Sequence, residues 1–108
     1  MEINICRDFS DTPGARFKTE GAFSGEEFRD SILEPTFLEA QSKKEKLLIN
    51  LDGSYGYPTS FLEEAFGGLS RKYGAEAVLN VLSFVSDDEP SLIEEIVGYI
   101  RDAKKEGK

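Results

Sequence analysis

Apolar positions along this chain fall into short runs whose spacing alternates between strand-like and helix-like. Residues 2–6 read as a first strand, with Ile3 and Ile5 on one face. Residues 8–25 are rich in Asp, Ser, Thr, Pro and Gly and should be mostly loop, with 15–18 a candidate second strand. Ser24, Gly25, Glu26 and Glu27 fit a capping box, in which the hydroxyl takes the N–H three residues on and Glu27 reaches back. Phe28, Ile32 and Leu33 then mark a helical face. Pro35 is expected to end or kink that helix, with Phe37 and Leu38 starting a further turn.

Residues 46–52 form the clearest strand, since the unbroken Leu47, Leu48 and Ile49 suit a central position. Ser60 with Glu63 makes a second capping box, opening a helix that runs to about Tyr73. Its face is Leu62, Ala65, Phe66, Leu69 and Tyr73. Glu63 and Glu64 lie at its start and Arg71 and Lys72 at its end, as the helix dipole prefers, and Gly74 is placed to stop it. A short helix over 75–80 and a strand over 81–85 follow. Pro90 suits the first turn of a last helix with Leu92, Ile93, Ile96, Val97, Ile100 and Ala103 as its stripe. Arg101, Lys104 and Lys105 complete its charge asymmetry, and the tail beyond should fray. The core is expected from Leu47, Ile49 and Leu51 packed on Leu62, Phe66, Leu69 and Ile96. Strands alternating with helices imply a small α/β domain with a mixed or parallel sheet.

Length and charge narrow the picture. The 108 residues make one domain, 1–108, and their formal charge of -8 argues against nucleic acid while suiting a basic protein partner. With no histidine, the commonest general base and zinc ligand is missing. Cys6 is the sole cysteine, so no intrachain disulfide or multi-cysteine metal site can form, and its apolar surroundings suggest a small core residue. Neither a signal-peptide stretch nor a run of about 20 apolar residues occurs, which places the expected compartment in the cytoplasm, away from membranes. No metal or cofactor is implied.

The candidate chemistry lies where the central strand meets its helix. There the loop Gly53 to Pro58 delivers Tyr55, Tyr57, Pro58, Thr59 and Ser60 to a helix N-terminus. The two tyrosines are either exposed contact residues or lids on the core. Thr59 and Ser60 are hydroxyls available for phosphorylation, Ser60 being equally explained as an N-cap. Asn50-Leu-Asp52-Gly-Ser54 resembles the Asp-x-Asp-Gly-Thr loop of haloacid-dehalogenase-like phosphatases, but Asn50 stands where their nucleophilic Asp belongs, which argues against that activity. No phosphate-cradling glycine loop is present. Gly67 and Gly68 inside the helix suggest a close helix–sheet or helix–partner contact.

INICRDFSDTPGARF, FSGEEFRDSILEP and above all INLDGSYGYPTSFLEEAFGGLSRKYG resemble the STAS-like domain family of unknown function, itself similar to the STAS domains of sulfate transporters and anti-sigma factor antagonists. The resemblance implies a small STAS-like α/β fold: a central mixed sheet of about four strands, packed helices, and protein–protein regulation rather than catalysis. In anti-sigma antagonists an Asp-Ser-Ser-Gly motif stands at this junction, its first Ser phosphorylated by a kinase that is also the anti-sigma factor. On this chain that motif falls on Pro58, Thr59, Ser60 and Phe61, so its Asp and Gly are missing. A histidine-kinase-type ATPase is the partner the resemblance implies. The other reading is a small-ligand or nucleotide-sensing domain using the helix N-terminus near Thr59 as an anion site.

Overall fold

The computed structural model describes residues 1–104. Strand β1 (Glu2–Asn4) runs straight into a single helical turn, α1 (Ile5–Asp8), so the first strand is shorter than its apolar pattern suggested. Asn4 causes the switch: its side chain accepts the Arg7 N–H and caps α1, while its own N–H goes to the Asp8 carboxylate. Helix α2 is continuous from Gly25–Phe28 through a wider π turn at Arg29–Leu33 to Glu34–Lys43. β2 (Leu47–Asn50) follows. Helix α3 has the same three-part build, Thr59–Leu62, a π turn at Glu63–Gly67, and Gly68–Tyr73. Then come α4 (Ala75–Val81), β3 (Leu82–Val85) and α5 (Ser91–Asp102).

Among the described residues the sheet has three strands in the order β1-β2-β3, all parallel, in place of the expected four or so in a mixed sheet. Ile3 pairs with Ile49, and Ile49 with Phe84. Residues 15–18 make no strand because their backbone is committed elsewhere. The Ala15 and Arg16 carbonyls accept the Gly25 and Glu26 N–H groups and so finish the start of α2.

Three local expectations are corrected. Pro35 does not end its helix, because the wide turn before it, where Glu34 N reaches back to Arg29 O, makes room for a ring that would clash in a regular turn. Ser24 caps α2 by accepting from Glu27 N at 3.0 Å, but Glu27 reaches back to Phe23 N rather than to Ser24. Ser60 is not an N-cap: Pro58 is, and Glu63 is drawn off by arginines, so the second capping box does not form. Gly74 does stop α3, and Pro90 immediately precedes α5. Lys105 and the fraying expected beyond it lie outside the described residues.

The core is as expected at its centre. Leu47, Ile49, Leu51, Leu62, Phe66, Leu69 and Ile96 are all buried, joined by Ile3, Ile5, Phe28, Leu33, Phe37 and Phe61. Phe66 meets Phe28 at 6.2 Å and Phe84 at 5.7 Å between ring centroids. The helices therefore fix the sheet from which the junction loop emerges.

Candidate functional site at the carboxyl edge of the sheet

Three parallel strands bring their carboxyl ends to one edge, the usual location of sites in open α/β sheets. The loop after β2 is pinned there from both sides. Leu51 N donates to Val85 O at 2.9 Å, continuing the ladder beyond the strand. Asp52 accepts the Asp87 and Asp88 N–H groups at 3.1 and 2.8 Å, and Asp88 accepts Gly53 N at 3.0 Å in return. On the other side the Cys6 thiol donates to Gly53 O at 3.4 Å. Gly53 has φ 97, and a Cβ there would lie 3.3 Å from the Cys6 sulfur, so backbone angle and neighbour both call for glycine. Asn50 accepts Asp52 N at 2.9 Å and so shapes the turn.

The two tyrosines have opposite roles. Tyr57 is a half-buried lid: its hydroxyl donates to Leu51 O at 2.8 Å and its ring lies 6.1 Å from that of Phe61. Burial pushes its pKa up. Tyr55 points outward at 87% exposure, while its N–H donates to Asp11 O at 2.8 Å. An exposed ring thus stands on an anchored backbone.

Helix α3 opens with Pro58 as N-cap, which offers no side-chain acceptor. Thr59 is exposed and Ser60 half-buried. Beside Thr59 stands Tyr99 of α5, whose hydroxyl donates to Glu95 at 2.7 Å. Burial, then this carboxylate, raises the Tyr99 pKa. A phosphate on Thr59 would therefore meet Glu95 as well as the helix N-terminus.

One turn inward the helix carries a cluster of charges. Arg29 of α2 donates through Nη1 to Glu64 O and Glu64 Oε2, both at 2.7 Å, with the two side chains only 9% and 10% exposed. Arg16 reaches Glu63 at 2.5 Å and Glu64 at 3.4 Å, and Arg71 reaches Glu63 at 2.7 Å. Burial raises the Glu63 pKa, but Arg71 and Arg16 outweigh it and the net shift is downward. Gly67 and Gly68 serve this cluster: the Arg29 guanidinium lies where a Gly68 side chain would begin. The close contact expected at these glycines is thus made by charged side chains and not by the sheet.

Tyr55, Tyr57, Pro58, Thr59 and Ser60 come together on one loop and helix start, as their adjacency requires. Cys6, Asp11, Asp87, Asp88 and Tyr99 join them and were not among the candidates. Only the parallel sheet order, which puts the loops after β1 and β3 beside the loop after β2, could have named them in advance. Among the described residues no group of three or more His, Cys, Asp or Glu is arranged to hold a metal ion. Nor, among the described residues, is any helix long and apolar enough to cross a membrane.

A small parallel sheet with helices packed on it and an anchored strand–loop–helix junction at its carboxyl edge defines an α/β domain of STAS-like type. The family model for a STAS-like domain of unknown function matches residues 24–92, from the cap of α2 to the start of α5, and the chain belongs to that family. No curated protein and no solved structure matches the chain.

Proposed function

We propose that this chain is a non-enzymatic regulatory domain that binds a protein partner, a histidine-kinase-type ATPase, through Tyr55, Tyr57, Pro58, Thr59 and Ser60. The observation that carries the reading is Tyr55, an aromatic ring 87% exposed on a loop whose backbone is tied to the loops after β1 and β3. A held, protruding aromatic loses little freedom on binding and buries much area. Thr59 is the more accessible phosphoacceptor and Ser60 the second. A phosphate there, carrying about -1.5 to -2 charge, is repelled by Glu95 on its own domain, and its bulk blocks close approach of the partner, which weakens the contact. Catalysis is not part of the proposal, since Asn50 shapes a turn and Asp52 is occupied by two N–H groups. The acidic chain would work in the cytoplasm, apart from nucleic acid and membranes.

The test is a pull-down from the native host read by mass spectrometry for partners and phosphosites together. Thr59→Glu, Tyr57→Ala and Tyr55→Ala should each reduce capture of the ATPase, with thermal melts confirming that the variants fold. Wild-type affinity in all three would place the interface elsewhere. The uncapped start of α3 favours a second reading, an anion-sensing site, which would show instead as stabilisation by inorganic phosphate or a nucleotide.

A further inference from the structure

We propose that the face around the junction receives a lysine- or arginine-rich segment of the protein partner, aromatic rings packing on its aliphatic stems and carboxylates meeting its charged heads. This rests on the interaction reading above and adds the chemistry of the partner.

The face is aromatic along its length. Phe9 lies 5.6 Å from Phe23 and 6.2 Å from Phe61 between ring centroids, and Phe61 lies 6.1 Å from Tyr57. Phe61 is buried beneath, Phe9 and Tyr57 are half-buried, and Phe23 is 41% exposed at one end. Tyr55 stands out beside them. Phe23 has φ 58, a backbone region that a bulky side chain rarely enters. The strained turn is held by Glu27, which accepts Phe23 N at 3.2 Å, and by Gly14 N, which donates to Phe23 O at 2.8 Å. The fold thus maintains a half-exposed ring at a backbone cost, as ligand clamps do.

The rim is negative. Asp11 is exposed and joined to Tyr55 through its backbone carbonyl, and Asp52, Asp87 and Asp88 flank the loop on the β3 side. Asp52 and Asp88 also bond backbone N–H groups. Among the described residues none of these four pairs with a lysine or arginine, and Arg7, the cation of α1, is met by Asp8 at 2.9 Å. Lysine and arginine stems lie well on aromatic faces while their heads seek carboxylates. An anionic membrane or nucleic acid would be repelled, and a second copy of this -8 chain would set like charges opposite each other.

The test uses the full chain, isotope-labelled for NMR, titrated with a soluble peptide alternating lysine and leucine and with its glutamate–leucine counterpart. The lysine peptide should shift the resonances of Phe9, Phe23, Tyr55 and Tyr57, and its Kd should rise about tenfold between about 50 and 300 mM salt. Asp87→Asn with Asp88→Asn keeps the acceptor for Gly53 and should weaken binding about three- to tenfold at unchanged Tm. Equal binding of the glutamate peptide, or shifts confined to other faces, would overturn the inference. Self-association that disappears in Tyr55→Ala would also overturn it, by naming a second copy as occupant. If the peptide fails but Thr59→Glu and Tyr55→Ala still abolish capture of the native ATPase, only the basic character of the partner falls.

Discussion

Replacing Gly68 by alanine should destabilise the domain, although alanine in a helix interior is ordinarily better than glycine by about 1 kcal/mol. A Cβ on Gly68 would fall on Arg29 Nη1 and lie 3.2 Å from Cζ and 3.3 Å from Cδ, so the whole guanidinium must shift. It has little freedom to do so, being only 9% exposed and bonded at 2.7 Å to both Glu64 O and Glu64 Oε2. Displacing it leaves Glu64 with Arg16 at 3.4 Å and Arg71 at 3.5 Å. Removing one partner of a buried pair costs about 3–5 kcal/mol, and the helix gain offsets about 1, so the net loss is about 2–4 kcal/mol. For a domain of this size that lowers Tm on the order of 10–20 °C. Gly98 in α5 is the control, since a Cβ there meets nothing within 4 Å. Gly98→Ala should therefore stabilise by about 0.5–1 kcal/mol. Urea unfolding with matched thermal melts measures both. Most of the Gly68→Ala penalty should vanish in an Arg29→Met background, as coupled sites require. A Gly68→Ala variant as stable as Gly98→Ala would refute the reasoning.

Phe66→Ala should cost about 3–5 kcal/mol, because Phe66 is fully buried between Phe28 and Phe84; a loss under about 1 kcal/mol in urea would show the core misassigned. Tyr73 donates to Glu34 at 2.5 Å, and this bond first, then burial, raises its pKa to about 12. The folded value lies above the unfolded one, so the bond's stabilisation is full below about pH 10 and is lost as pH rises toward 12. Absorbance titration should show a phenol that Glu34→Gln returns toward its ordinary range. Phosphoester and nucleotide substrates should not be turned over; turnover that disappears in Asp52→Asn would refute this.

The central strand, the core and the stop at Gly74 were legible because each depends on a few adjacent residues. Leu47 to Ile49 are apolar without interruption, and no helix pattern competes. Pro35 disturbs its helix without ending it, because the wide turn before it accommodates a ring that a regular helix could not. Ser60 was misread for a long-range reason: Glu63 was expected to reach back along its own helix, but Arg16, 47 residues away, claims it. The missing strand over 15–18 has the same origin, since carbonyls that could have joined a sheet cap α2. At the junction the sequence identified the loop but not its supports. Asp88 and Cys6 reach Gly53 only once three strands lie parallel, and their spacing along the chain carries no sign of that.

Those supports bear on function. Asp52 and Asp88, each exposed enough to serve as surface charges, are instead used first as braces, each oxygen set fixing a backbone N–H of the neighbouring loop. A brace of this kind keeps the position of Tyr55 independent of its own side chain, which touches little of the domain. Tyr57 does the reverse, closing the loop onto Leu51 O with its hydroxyl while its ring covers Phe61. Substituting Tyr55 therefore alters what the surface offers without altering how it is held, whereas substituting Tyr57 alters both. A partner that discriminates between Tyr55→Ala and Tyr57→Ala reads the ring at 55 against the shape of the loop. One that loses affinity equally for both, at equal Tm, requires the aromatic face as a unit.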